Sequence, residues 1–184
     1  PYARDEKLAR YWVTPGTRGL EHRIGGLEKE DITGNVSYDP ENHEYMTQVR
    51  AEKIAKVQHY IPELETVFDD EGDLLVVGWG GTYGTLYAAV KELNQSGVSG
   101  VGLAHFNYLN PLPKNTEAVL SRFKKIVVCE LNNGQFVSIL RMKFNGQTFH
   151  QFNKVQGLPF FISELKEKFI EVLEEKPSGN KKNS

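Results

Sequence analysis

From Asp73 onward, short aliphatic runs bounded by glycine or polar residues alternate with longer amphipathic stretches, and this alternation restricts the fold more than any other feature of the chain. Leu74-Leu75-Val76-Val77, closed by Gly78, has no polar side to turn to water and predicts a strand covered on both faces. Gly84 to Gln95 then places Leu86, Tyr87, Val90 and Leu93 on one helical face, and Gly97 stops it. Val98 to Phe106 reads as a second strand. Asn115 is positioned to cap a helix carrying Val119, Leu120 and Phe123. Lys125 to Leu131 is a third strand, Gly134 to Lys143 a helix with Phe136, Val137 and Leu140 turned inward, and Gln147 to Val155 a weaker strand. Ser163 opens a last helix with Leu165, Phe169, Val172 and Leu173 on one stripe. Such alternation implies an α/β fold: a largely parallel sheet with helices on both faces, joined by right-handed crossovers.

The region before Asp73 reads differently. Residues 1–43 are rich in Gly, Pro, Asn, Asp and Thr without periodicity, which predicts an extended arm, too long for an internal connection and therefore either functional or laid across a partner's surface. Trp12, Leu20, Ile24 and Leu27 are its apolar anchors. Residues 44–72 are expected to form an amphipathic helix and a linker, with Met46, Val49, Ile54 and Val57 at helical spacing and Pro62 as the stop. The compact domain is expected over 73–175 and a disordered tail over 176–184. The chain opens on Pro1 instead of methionine and is read as a processed product or a piece cut from something longer.

At 184 residues the chain has room for one real core plus appendages. Its longest aliphatic run, Leu74 to Val77, falls far short of the roughly 20 residues that cross a bilayer, no charged-then-apolar leader opens it, and a cytoplasmic location is expected. Charge is uneven. Residues 1–73 carry 9 Lys and Arg against 16 Asp and Glu, and residues 74–184 carry 13 against 8. The basic half has neither a Lys/Arg cluster nor interleaved aromatics, so nucleic acid is not an expected partner. The single cysteine, Cys129, excludes an intrachain disulfide and any iron–sulfur cluster held by four thiolates of this chain. Its aliphatic neighbours point to an inert thiol.

Several residues invite a chemical reading. Gly78-Trp79-Gly80-Gly81-Thr82-Tyr83-Gly84 joins the first strand to its helix, where exposed backbone N–H groups suit a phosphate or carboxylate. The motif fails the dinucleotide spacing, because the third glycine position is Tyr83, and it lacks the Lys-Ser/Thr pair of a nucleoside-triphosphate loop. Gly78, Gly80, Gly81 and Thr82 are therefore candidates for an anion loop or a subunit contact. His105 sits at the carboxyl end of the second strand, the rim where open α/β sheets place ligands. His22 and Arg23 stand in a loop of mixed charge between glycines. Arg23 either holds a carboxylate or pairs with Glu21, Glu28 or a partner's acid. Glu130, followed by Asn132, Asn133 and Gly134, either binds a ligand or fixes the turn. The five histidines show no metal-hydrolase spacing, and no serine lies in a nucleophile elbow.

Six blocks in order, Gly19-Leu-Glu-His-Arg-Ile-Gly-Gly26, Asn35-Val-Ser-Tyr-Asp-Pro-Glu-Asn-His43, Val77-Gly-Trp-Gly-Gly-Thr-Tyr-Gly84, His105, Pro111-Leu-Pro113 and Glu130-Leu-Asn-Asn-Gly-Gln135, resemble the C-terminal part of the alpha subunit of 2-oxoglutarate:ferredoxin oxidoreductase, in the 2-oxoacid:acceptor oxidoreductase family. The resemblance implies a three-layer αβα sandwich of transketolase C-terminal-like type, with five strands, mostly parallel and one antiparallel edge. It also implies a complete enzyme that oxidatively decarboxylates a 2-oxo acid to its acyl-CoA with thiamine diphosphate, passing electrons through an iron–sulfur cluster to ferredoxin. In that family an upstream domain and a beta subunit hold the thiamine diphosphate, magnesium and cluster. This chain is accordingly expected to bind no cofactor, to contain no catalytic or metal-binding residue, to be inactive alone and to assemble as a hetero-oligomer. His22 and Arg23 are its substrate-proximal candidates. The rival reading is a free-standing nucleotide- or CoA-binding module built on the Gly78–Gly84 loop.

Overall fold

The computed structural model describes residues 1–175 and divides into two compact units, Pro1–Ile61 and Pro62 onward. The expected tail over 176–184 lies outside the described residues.

In the first unit, residues 1–39 contain neither a helix nor a multi-residue strand, only isolated bridges such as Tyr2 with Ile32 and Lys29 with Val36. Side chains tie the loops together: Arg4 pairs with Asp31, the Arg10 guanidinium stacks 3.8 Å over the Tyr2 ring, and Asn42 accepts from Asp31 N while donating to Lys29 O. Helix α1 (Pro40–Lys56) starts four residues before the expected Glu44. The signal is local: Asp39 accepts from Asn42 N at 3.1 Å, and Pro40 occupies the first helical position, where its missing N–H costs nothing. Of the expected apolar stripe only Met46 and Val49 are buried, whereas Ile54 and Val57 stay exposed. Trp12 (101 %), Ile24 (90 %) and Tyr38 (85 %) are almost wholly bare, an apolar exposure this unit does not cover by itself.

The second unit is one five-stranded sheet in the order β1-β3-β2-β4-β5. Its strands are β1 (Thr66–Phe68), β2 (Gly72–Trp79), β3 (Val101–Phe106), β4 (Phe123–Glu130) and β5 (Phe149–Asn153). All pairings are parallel except the edge pair β1–β3, with Thr66 opposite Ala104. This is the sandwich implied by the transketolase C-terminal-like resemblance, antiparallel edge included. Helices α2 (Tyr83–Gln95) and α5 (Ile162–Glu174) cover one face, and α3 (Thr116–Leu120) and α4 (Gln135–Lys143) the other. The central strands alternate between the two cores. Leu74, Val76, Leu103 and Val127 meet α2 and α5, while Leu75, Val77, Ala104 and Val128 meet α3 and α4.

Four local expectations are corrected. Phe123 does not extend the helix from Asn115: α3 stops at Leu120 and Phe123 begins β4, its ring filling the space over Gly102, where an added Cβ would strike it. Asn115 makes no capping bond with its side chain, because that amide brackets Leu64, accepting from its N and donating to its O at 2.8 Å each. Ser163 does not cap α5 either; the helix starts at Ile162, and Glu164 Oε1 accepts from Phe161 N at 2.9 Å. Strand β1 comes from the segment read as linker, since three residues at an edge carry too little pattern to register.

Cys129 is fully buried in β4, and desolvation pushes its thiol well above the ordinary range. It is expected to resist a disulfide-exchange reagent in the folded chain and to react fully after denaturation. Native-state reaction within minutes would overturn this assignment.

Candidate functional site

In an open α/β sheet, ligands favour the crevice beyond the carboxyl ends of the strands where successive helices leave on opposite faces. Here that point lies between β2, whose helix α2 covers one face, and β4, whose helix α4 covers the other. Glu130 ends β4 with its side chain fully buried. Its Oε2 accepts from Phe136 N at 2.8 Å, from Asn132 Nδ2 at 3.1 Å and from Trp79 Nε1 at 3.2 Å, and its Oε1 accepts from Val137 N at 2.9 Å. Asn132 Oδ1 accepts from Gly134 N at 2.8 Å and Gln135 N at 3.0 Å. Two side chains of the chain itself therefore occupy the N–H donors that open α4, which elsewhere would greet an anion. Gly134 permits the turn with φ +88°. Of the two roles open to Glu130, the geometry fits the turn: its oxygens accept four hydrogen bonds from within the chain, one of them from the partly buried Trp79 indole.

The Gly78–Gly84 segment forms one 3-10 turn (Gly80–Thr82) before α2. A side chain at Gly78 would collide with Leu86 and Thr82, so this glycine lets α2 pack on β2. Thr82 is buried, its hydroxyl donating to Trp79 O at 2.9 Å. Gly80 (φ +60°) and Gly81 face open space, and α2 has no side-chain cap.

A cavity of about 580 Å³ opens beyond β3 instead, beside the antiparallel edge. Glu63 and Glu65 line it from the approach to β1, Tyr83 from the first turn of α2, and His105, Asn107 and Tyr108 from the end of β3. The Tyr83 and His105 rings meet edge to face at 5.1 Å. Burial lowers the His105 pKa below the usual imidazole range, against a smaller opposing pull from the Gly80 carbonyl, and Nδ1 is buried without a hydrogen-bond partner among the described residues. The sequence pointed to His105 and to the glycine-rich segment that carries Tyr83, but not to Glu63, Glu65 or Tyr108, which come from segments with no recognisable motif.

In the first unit, His22 and Arg23 share the wall of a second cavity, of about 420 Å³, with Glu21 and Asn35. His22 Nδ1 lies 2.9 Å from Leu20 O. Glu28 is not Arg23's partner. It accepts from Arg50 at 3.1 Å and contacts His43 at 2.8 Å, and these bonds hold its carboxyl below the usual range. Arg23 forms no ion pair among the described residues.

Fold and edge together define a three-layer α/β domain whose usual ligand crevice is filled by its own side chains. No protein-family model matches the chain. It is 45 % identical over 168 residues to the 2-oxoglutarate oxidoreductase subunit KorA of Mycobacterium tuberculosis, covering 90 % of this chain and 25 % of that protein. It is 30 % identical over 180 residues to the alpha subunit of 2-oxoacid:ferredoxin oxidoreductase 1 of Aeropyrum pernix, covering 94 % of this chain and 27 % of the relative. The 2-oxoglutarate:ferredoxin oxidoreductase of Magnetococcus marinus, solved with 2-oxoglutarate, coenzyme A and succinyl-CoA bound, superposes with a TM-score of 0.83 at 27 % identity, over 94 % of this chain and 30 % of that one. The chain is thus homologous to the alpha subunits of the 2-oxoacid:ferredoxin oxidoreductases, as its sequence blocks indicate, and spans about a quarter of the length of the curated relatives it matches.

Proposed function

We propose that the chain is the assembly domain of the alpha subunit of a thiamine-diphosphate-dependent 2-oxoacid:ferredoxin oxidoreductase that decarboxylates 2-oxoglutarate oxidatively to its acyl-CoA in the cytoplasm, and that its partners are the rest of that subunit and a beta subunit. The observation that carries this reading is the filled crevice. A domain of this homology with Glu130 and Trp79 lodged at its ligand edge contributes surface, not a cofactor cradle. Thiamine diphosphate requires N–H donors for its phosphates and oxygen ligands for its magnesium. The donors that open α4 are engaged by Asn132 and Glu130, and among the described residues no three of His, Cys, Asp or Glu converge on a metal position. The α4 end of the crevice does not fit the cofactor, and the reading leaves it, magnesium and the cluster to the other domains.

Within this proposal the bare side chains of the first unit, Trp12 and Ile24 foremost, are covered on assembly, and Gly80 and Gly81 form an interface loop where a neighbouring backbone approaches closely. His22 and Arg23 approach the substrate in the complete enzyme, where the unpaired Arg23 guanidinium suits a carboxylate. Among the described residues no helix is long and apolar enough to cross a membrane. The test is reconstitution. The chain joined to the upstream part of such a subunit and co-expressed with a beta subunit should reduce a viologen dye in the presence of 2-oxoglutarate and CoA, and the 184 residues alone should not. Trp12→Ala should lower the yield of complex. Full activity from the chain alone, or tight CoA binding to it, would sink the reading in favour of the free-standing module.

A further inference from the structure

We infer that Asn145 is a site of spontaneous covalent modification in the folded chain, its amide converting to isoaspartate and aspartate, whereas the other Asn-Gly pair, Asn133-Gly134, is protected by the fold. Two asparagines of the chain precede a glycine. In such a pair the glycine nitrogen, unhindered by a Cβ, attacks the side-chain carbonyl carbon of the asparagine. The bond from Gly N to Asn Cγ forms, the Cγ–Nδ2 bond breaks, and ammonia leaves with the proton that the backbone N–H gives up. Solvent water then opens the cyclic imide. Cleavage at Cγ gives aspartate, and cleavage at the main-chain carbonyl gives isoaspartate, with the backbone rerouted through the former side chain.

The two pairs differ in what holds the attacking nitrogen. Phe144-Asn145-Gly146-Gln147 is the turn between α4 and β5, closed by a bond from Gln147 N to Phe144 O at 3.1 Å. Asn145 and Gly146 are both exposed, neither makes a hydrogen bond among the described residues, and a Cβ built on Gly146 would meet nothing within 4 Å. Nitrogen and amide are free to reach one another. Asn133 is exposed as well, so access to water does not separate the pairs. Gly134 does. It is buried, its N–H donates to Asn132 Oδ1 at 2.8 Å, its carbonyl accepts from Ser138 Oγ at 2.7 Å, and Asn153 and Val137 each stand 3.1 Å from where a Cβ would lie. Attack would have to give up that N–H bond and shift a packed turn. At Asn145 the product sets a carboxylate just past the C-terminus of α4, the negative end of its dipole. Arg141, donating to Gln151 Oε1 at 2.8 Å and Phe149 O at 2.7 Å, still fastens α4 to β5, so the change stays within the turn. The inference does not depend on the proposed enzymatic role.

The test holds the full 184-residue chain folded in mildly alkaline buffer, beside a sample in denaturing urea, and follows its tryptic peptides by mass spectrometry. Cleavage after Lys125 and after Lys143 places the two pairs in separate peptides. Labelling with an isoaspartyl carboxyl methyltransferase and S-adenosylmethionine scores the isoaspartate. In the folded chain Asn145 should convert at least about tenfold faster than Asn133, and in urea the two rates should converge. Gly146→Ala, at a position with room for the methyl, should slow conversion at Asn145 about tenfold with an unchanged circular dichroism spectrum. An Asn145 left intact in the folded chain while the unfolded chain reacts, an Asn133 that keeps pace with it in the folded chain, or a folded Gly146→Ala chain that reacts undiminished would overturn the inference.

Discussion

Glu130→Ala is expected to cost the second unit about 4 kcal/mol, at the upper end for a single substitution. The carboxylate is fully buried and accepts four hydrogen bonds, two from backbone N–H groups of α4 and one each from Trp79 and Asn132. Alanine leaves these donors stranded under Trp79, where water cannot replace the lost oxygens without loosening the α4 side of the core. A shape-preserving variant divides the effect. Glu130→Gln keeps the volume and one carbonyl oxygen, but its amide nitrogen must face an N–H it cannot accept from, so about half the loss should remain. The measurement is urea unfolding followed by fluorescence of the two tryptophans and by circular dichroism, with the midpoint shifting and the slope unchanged. A loss below about 1 kcal/mol for the alanine variant would mean that Glu130 is not the closure of the crevice, and would reopen the edge as a ligand site.

The elements of the sandwich were legible in the sequence because each is long and obeys one period: the run at Leu74–Val77 and the stripes at Leu86, Val90 and Leu93 or at Leu165, Phe169 and Val172 admit one interpretation. The family blocks added the sheet's antiparallel edge, which β1, at three residues, is too short to announce. Cap identity was less legible. Ser163 and Asn115 are both competent caps by type, and neither caps: Glu164, from the third position of α5, takes the Phe161 N–H, and the Asn115 amide reaches Leu64, 51 residues earlier. The site was readable only as alternatives. Glu130-Leu131-Asn132-Asn133-Gly134 announces a strand end and a helix start, but whether the carboxylate looks outward to a ligand or inward to α4 depends on Trp79, which also lies 51 residues away. The cavity at His105 escaped notice for the same reason: Glu63, Glu65 and Tyr108 carry no local pattern and meet only because β1 folds back antiparallel on β3.

Lys154→Met, the second large effect, is expected to destabilise the chain by about 3 kcal/mol. Lys154 follows β5, where its backbone N–H donates to Glu130 O at 3.0 Å, and its side chain is only 5 % exposed. The ammonium donates to Glu164 Oε1 at 2.6 Å and to Pro159 O at 3.0 Å, and lies 4.2 Å from the centre of the Phe161 ring. One cation thereby fixes the connection from β5 to the first turn of α5. Methionine fills the space of the stem but leaves Glu164 and the Pro159 carbonyl without their donor, whereas removing both charges with Glu164→Leu should recover much of the loss, because two desolvated charges are then absent together. The pH dependence is a second readout. Burial raises the Glu164 pKa, but the bonds from Lys154 and Phe161 N and the Lys154 charge outweigh it, and the net shift is downward from 4.5. A carboxylate whose folded pKa is lowered stabilises the fold above its unfolded value, and that contribution is lost as pH falls through the folded pKa. Wild-type chain should therefore lose stability below about pH 4.5 more steeply than Lys154→Met, in which the largest bond holding Glu164 ionised is gone. Parallel acid profiles for the two proteins would show that the pair is not what binds the β5–α5 connection.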